Sequence, residues 1–298
     1  MTRRIDIVEV GPRDGLQNDP ADLSTEQKLE FIARLEQCGV QRMESGSFVS
    51  PKAVPKMADS GAVFRGLNRT GAVRHIALAL NEKGVRRAID AAADEINFVL
   101  VAGEGFGERN QRMTPQQSAD MLAACAPLVH EAGIPLSATI SVAFGDPYTG
   151  EVDPGVVANL AAQAQRAGVA EIGLGDTIGV ATPWDVRTVV DRVRVEAPDV
   201  YLRLHFHDTR GAGLANVAAA VEAGVDVIDA SCGGIGGCPF APAATGNVAT
   251  EDVVYMLERA GFETGLDLGK LIETAHWLET VLGHKVSSSL SKAGTFPA

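Results

Sequence analysis

Short apolar runs alternate with longer amphipathic runs from one end of the chain to the other. The short runs lie at 5–10 (IDIVEV), 42–48 (RMESGSF), 75–80 (HIALAL), 95–101 (EINFVLV), 136–144 (LSATISVAF), 171–177 (EIGLGDT), 201–207 (YLRLHFH) and 225–231 (VDVIDAS). Several are nearly continuous in apolar residues. That pattern predicts parallel strands covered on both faces.

The intervening runs carry helix start and stop signals. Ser24 followed by Gln27 predicts a capping box, in which each side chain satisfies a free backbone N–H of the other. Thr114-Pro115 with Gln117 predicts a second box, and Asp153-Pro154 and Thr182-Pro183 place a capping side chain before a proline at the first helical position. Gly39, Gly133, Gly168 and Gly224 follow helical runs, where a left-handed residue ends a helix without strain.

Eight strands joined by helical crossovers fit an eight-stranded parallel barrel or an open doubly wound sheet. The polar residues at the C-terminal ends of strands 1, 2, 7 and 8 favour the barrel, because closure brings those ends to one mouth. The predicted fold class is therefore α/β, a (β/α)8 TIM barrel with additional C-terminal helices. Residues 1–298 are expected to form one catalytic domain, with 247–298 supplying the last barrel helix and an extension. A chain of 298 residues is compatible with one such domain.

Composition narrows the function class. The chain is 46% hydrophobic and 21% charged, with a formal net charge of -12. That charge argues against a general nucleic-acid binder. An anionic substrate would need local positive charge or a metal against the repelling field. No apolar run is long enough to span a membrane. The opening MTRRIDIVEV has two arginines but no apolar signal-peptide region, so it reads as the first strand of the fold. Cys38, Cys125, Cys232 and Cys238 show no CxxC spacing and are expected to be reduced thiols in a cytoplasmic compartment.

Chemistry concentrates at three places. His205 and His207 end strand 7, two residues apart, so both face the same side of the strand. Arg13-Asp14-Gly15 follows strand 1; as an isolated segment it is a surface turn, but at a barrel mouth Asp14 offers an oxygen ligand opposite two imidazoles. Such a mixed set suits Mg, Mn or Zn. Glu44 lies within strand 2 and needs a partner, for which Arg13 or the metal shell is the candidate. Residues 231–247 read SCGGIGGCPFAPAATGN, a glycine-rich stretch suited to a loop that approaches a ligand or moves, with Cys238 as its thiol. Asn247 stands before the final helical run, as a helix cap, a ligand or both.

These motifs together resemble the 3-hydroxy-3-methylglutaryl-CoA lyase family. The stretches are VEVGPRDGLQN at 8–18, SFVSPKAVPKM at 47–57, GLGDTIGVATP at 173–183, HFHDTRGAGLAN at 205–216, GGIGGCPF at 233–240 and GN at 246–247. The RDG and H-x-H elements also occur in isopropylmalate-synthase-like enzymes, whereas the GGCP loop favours a lyase over a synthase. The resemblance implies Asp14, His205, His207 and Asn247 as ligands of a divalent metal, Mg or Mn ahead of Zn. It implies Arg13 as the group that binds the acyl-CoA carbonyl, Glu44 as its support, Cys238 as a proton donor and Lys285 as a contact for the CoA end. It further implies retro-Claisen cleavage in leucine degradation, an acyl-CoA substrate and a homo-oligomer.

Three departures from the family pattern bear on the substrate. The chain reads Gly145-Asp146-Pro147-Tyr148 where the family has Gly-Cys-Pro-Tyr, Gly103 where it usually has serine, and Gly283 where it has an amide. A carboxylate at 146 is expected to change the charge near the mouth. A related 3-hydroxy-3-alkylglutaryl-CoA is accordingly the first alternative substrate. A metal-dependent aldolase or synthase acting on 2-oxo acids, or a non-catalytic CoA-binding barrel, are the further alternatives.

Overall fold

The computed structural model describes residues 2–236 and 246–297. Eight parallel strands, β1 (Asp6–Glu9), β2 (Arg42–Ser47), β3 (Arg74–Ala79), β4 (Glu95–Val101), β5 (Leu136–Ser141), β6 (Glu171–Asp176), β7 (Tyr201–Phe206) and β8 (Val227–Ala230), pair in sequence order and close through β8 onto β1. The helices are α1 (Leu16–Asn18), α2 (Thr25–Gln37), α3 (Ser60–Gly66), α4 (Glu82–Asp90), α5 (Glu104–Asn110), α6 (Pro115–Glu131), α7 (Pro154–Arg166), α8 (Pro183–Glu196) and α9 (Gly213–Glu222), followed by α10 (Thr250–Arg259), α11 (Leu268–Leu282) and α12 (Leu290–Ala293). The result is a (β/α)8 barrel with C-terminal helices beyond the last barrel crossover.

The local signals act as expected. Ser24–Gln27 and Thr114–Gln117 form capping boxes at α2 and α6, and the Asp153 side chain accepts the Gly155 N–H at the start of α7. Thr182 and Asp185 form a third box at α8. Each such cap is worth about 1 kcal/mol. Gly39, Gly133, Gly168 and Gly224 all have positive φ after their helices.

The strand pattern differs from continuous burial in apolar surroundings. On β7, Leu202, Leu204 and Phe206 belong to the core beneath the helices, while Arg203 and His205 occupy the alternate positions. On β5, Leu136, Ala138 and Ile140 pack outward against the helices, with Ser137, Thr139 and Ser141 between them. The alternation has a physical cause: the barrel interior is polar. Glu44, Asn97, Thr139, Arg203 and Asp229 are joined there by direct hydrogen bonds, from Asn97 to Glu44 (3.0 Å), Thr139 to Asn97 (3.0 Å), Arg203 to Thr139 (3.2 Å) and Arg203 to Asp229 (2.8 Å). Below them Arg42 binds Glu95 and Glu171, and Ser137 donates to Glu95. Polar groups so deep require partners, and this mutual pairing supplies them. Val8, Val10 and Ile76 form a small apolar cluster of their own, with Val227 packed against it.

Candidate active site

Strand closure builds the site. After β1 the chain makes one wide helical turn, Gly11–Gly15, in which the N–H groups of Arg13, Asp14 and Gly15 all point to the Val10 carbonyl. Such five-residue turns recur at functional positions. This one presents Arg13 and Asp14 from neighbouring positions, and Asp14 is 8% exposed, so the turn is no surface feature. At the end of β7, His205 and His207 bring their rings to 5.2 Å, centroid to centroid. Their Nε2 atoms lie 3.9 and 3.6 Å from Asp14 Oδ2, and one ligand atom from each of the three residues falls within 4.8 Å of the others.

Asn247 joins this cluster. Residues 246–248 run antiparallel along the end of β7: Asp208 N–H bonds the Gly246 carbonyl, His207 and Asn247 form an isolated bridge, and Val248 N–H bonds the Phe206 carbonyl. Asn247 Nδ2 donates to Asp14 Oδ2 (2.8 Å) and to the Ile235 carbonyl (3.1 Å). Its Oδ1 is buried and accepts no hydrogen bond among the described residues. The helix-cap expectation fails at this residue. α10 begins at Thr250 with Ala249 before it, so Asn247 is too far from the first turn to cap it.

Arg13 lies between two carboxylates. It binds Glu44 through Nε and Nη2, and its Nη1 donates to Asp14 Oδ1 (2.7 Å). Glu44 is 1% exposed and its other oxygen takes the Asn97 amide. Burial alone would raise the Asp14 carboxyl. The Arg13 guanidinium, then His207 and His205, more than offset this and hold it well below the usual carboxylate range. Asp14 is thus an anion beside two imidazoles, in the state a cation ligand needs.

The glycine stretch begins against this cluster. Gly236 has φ +102°, and a Cβ there would stand 2.9 Å from both Asn247 Nδ2 and Gly15 Cα, so only glycine fits. Cys238 lies outside the described residues. Burial pushes the Cys38 and Cys125 thiols up to about 11 and Cys232 well above its usual value, so these three are inert neutral thiols. Lys285 is apart from the cluster, 84% exposed and paired with Glu279 at 2.7 Å. The following residues return to the glycine stretch, where Ser287 N–H and Ser288 N–H bond the Gly233 carbonyl.

The departures from the family pattern acquire a structural reading. Asp146 is 3% exposed and accepts N–H groups from Phe106 (2.8 Å), Tyr148 (2.8 Å) and Thr149 (3.2 Å). These donors fix its position, so that it holds the start of α5 and its own turn. Gly283 has φ +74° and ends α11 in the left-handed conformation.

Sequence reasoning missed several residues of the site. Asp229 Oδ2 lies 3.2 Å from His205 Nδ1, and Asp229 is in turn gripped by Arg203. Glu9, 0% exposed, accepts Gly11 N–H, Cys232 N–H and the Thr250 hydroxyl, tying the Asp14 turn to the glycine stretch and α10. Asp176, the register partner of Phe206 on β7, accepts Val180 and Ala181 N–H. The available signal was a carboxylate among apolar residues near the C-terminal end of a strand.

Comparison with known proteins finds likeness over nearly the whole chain. The HMGL-like family model matches residues 4–278. The chain is 40% identical over 293 residues to the mitochondrial hydroxymethylglutaryl-CoA lyase of Macaca fascicularis, covering 98% of this chain and 90% of that one. The crystal structure of the Bacillus subtilis HMG-CoA lyase superposes with a TM-score of 0.95 at 37% identity, over 98% of each chain. An Acinetobacter baumannii HMG-CoA lyase, in complex with coenzyme A and 3-methylmalate, gives a TM-score of 0.93 at 40% identity over 98% of this chain and 96% of that one. With the barrel, the Asp–His–His cluster and these likenesses together, the chain belongs to the HMGL-like family, alongside the hydroxymethylglutaryl-CoA lyases.

Proposed function

We propose that this chain is a divalent-metal-dependent carbon–carbon lyase that cleaves 3-hydroxy-3-methylglutaryl-CoA into acetyl-CoA and acetoacetate. The observation that carries the reading is the convergence of Asp14, His205 and His207 at the barrel mouth. The residues fit a cation: an ionised carboxylate, two imidazoles and an amide oxygen that accepts no hydrogen bond among the described residues make a mixed N/O set suited to Mg or Mn, with Zn also compatible. Asp14, His205, His207 and Asn247 would hold it. When bound, the cation supplies Lewis acidity at the substrate hydroxyl and its neighbouring oxygens.

The remaining chemistry falls to the chain. Asp14 is the base for the proton of the tertiary hydroxyl, or His205 when its Nε2 is free of the cation, since its Nδ1 faces Asp229. The C2–C3 bond breaks, acetoacetate forms, and the electron pair passes to the thioester as an enolate. The Arg13 guanidinium offsets charge on the thioester oxygen as it develops, and its bonds to Glu44 fix its plane before reaction. Cys238 then protonates the enolate carbon. Its assignment draws support from Gly236, two residues earlier, which abuts Asn247. Lys285 is proposed for the outer end of CoA, supported by its exposure and its nearness in sequence to residues that bond Gly233. Coenzyme A in the Acinetobacter baumannii lyase supports an acyl-CoA substrate. A reduced cytoplasmic compartment is proposed on the three free thiols among the described residues.

The test is a coupled assay of several 3-hydroxy-3-alkylglutaryl-CoA esters with Mg or Mn. The methyl ester should give the highest kcat/KM. A larger alkyl group preferred over methyl would reassign the substrate, and turnover of free 2-oxo acids in place of the esters would reject the lyase.

A further inference from the structure

We infer that Asp229, locked by Arg203, is a positioning residue that fixes the ring and tautomer of His205. The inference rests on the proposed metal site for its function, but not for its geometry. His205 and Asp229 are register partners across β7 and β8, so backbone pairing sets their separation. Asp229 Oδ2 lies 3.2 Å from His205 Nδ1, while His205 Nε2 looks across at Asp14 Oδ2, 3.9 Å away. An imidazole with nothing at Nδ1 can turn over and exchange a nitrogen for a carbon at the ligand position. A carboxylate at Nδ1 removes that freedom: it accepts only from an Nδ1–H, and this leaves the Nε2 lone pair facing Asp14 and the cation site.

Asp229 is itself unable to swing into the site. Arg203 Nη1 contacts both of its oxygens at 2.8 Å. Arg203 is 1% exposed and is held in turn by Glu171 at Nε (2.9 Å) and Thr139 at Nη2 (3.2 Å). A buried ion pair is weak evidence for stability, because desolvation cancels much of its Coulombic gain. What this pair does provide is a fixed acceptor at one atom of His205. The chain of contacts Glu171–Arg203–Asp229–His205 runs up the barrel interior and ends on a ligand of the proposed cation. It also separates the two aspartates near His205: Asp14 faces the site, and Asp229 is fully engaged behind it.

The experiment uses metal-free full-length protein labelled with 15N-histidine, with the His205 ring identified by its loss in His205→Gln. Long-range 15N–1H correlations above neutral pH should show the His205 proton on Nδ1. A proton on Nε2 in the wild type overturns the inference, and this reading needs no folded variant at Asp229. The paired variant Asp229→Ala/Arg203→Met removes both charges together, so no guanidinium is stranded. In it the His205 tautomer should shift while that of His207 stays unchanged. Titration with Mn2+, followed by the EPR signal of the free ion, should show about 10–100-fold weaker binding. Wild-type tautomer and wild-type Mn2+ affinity in that folded variant would overturn the inference. Failure of the wild type to bind Mn2+ would instead count against the metal site, while the tautomer still decides the role of Asp229.

Discussion

The carboxylate of Asp146 stands where a side chain on Gly103 would have to go. Both positions were expected to differ from the family pattern, and they share one space: the absence of a side chain at 103 leaves room for the carboxylate at 146. Restoring serine with Gly103→Ser should therefore cost about 1–3 kcal/mol through overpacking. Asp146→Cys alone should cost about 2 kcal/mol by freeing the Phe106, Tyr148 and Thr149 N–H groups. The double variant should be more stable than the sum of the two. Urea unfolding of all four proteins measures the coupling, and simple additivity would contradict a shared space.

Arg13 should act on the chemical step more than on substrate affinity. Arg13→Met removes the cation beside the developing oxyanion and is expected to lower kcat about 100- to 1000-fold with a much smaller change in KM. Glu44→Gln keeps the shape but weakens the grip on Arg13, so its loss in kcat should be smaller and in the same direction. Steady-state kinetics with saturating Mn2+ separates these outcomes. A rise in KM with kcat intact would assign Arg13 to ground-state binding.

A divalent cation should stabilise the fold through the proposed ligands. Adding Mg2+ or Mn2+ to chelator-treated protein should raise Tm, since a ligand bound to the native state alone shifts the equilibrium toward it. The rise should shrink in Asn247→Ala and vanish in His207→Ala. An equal rise in all three proteins would place the cation elsewhere.

Two buried carboxylates should make stability depend on pH. Burial pushes Glu9 and Glu251 up to about 7, and for Glu9 this happens despite donors from Thr250, Cys232 and Gly11. A carboxyl raised above its unfolded value favours folding while protonated. That contribution is fully present below the ordinary carboxylate pKa near 4.5 and is lost as pH rises through about 7. Stability should fall between roughly pH 5 and 8, by an amount on the order of a few kcal/mol if both groups ionise. Glu9→Gln should flatten part of this slope. A slope in Glu9→Gln as steep as in the wild type would remove Glu9 from the account.

The parts of the fold legible in the sequence were those set by local physics. Ser24, Thr114 and Asp153 cap helices through neighbours two or three residues away, so the spacing alone reveals them. His205 and His207 share a side because a strand alternates. Asp14 needed closure of the barrel, and its burial among the histidines follows from β1 pairing with β8. Asp229 and Glu9 were not legible. Each is a carboxylate flanked by apolar residues, and its decisive partners lie on another strand or beyond β8. The polar barrel interior was hidden for the same reason, since alternating serines and threonines on β5 resemble a solvent-facing strand until closure turns them inward. Asn247 stayed open between cap and ligand, because its distance to the helix start depends on backbone geometry after the glycine stretch, and α10 begins only at Thr250.

The most direct test of the metal-dependent lyase is product analysis on chelator-treated protein given 3-hydroxy-3-methylglutaryl-CoA, before and after Mg2+ or Mn2+ is restored. The account predicts negligible cleavage without the cation and, with it, acetyl-CoA and acetoacetate in equal amounts, with His207→Ala inactive in both conditions. Cleavage that persists in the presence of excess chelator, or no cleavage of the ester with either cation restored, would contradict it.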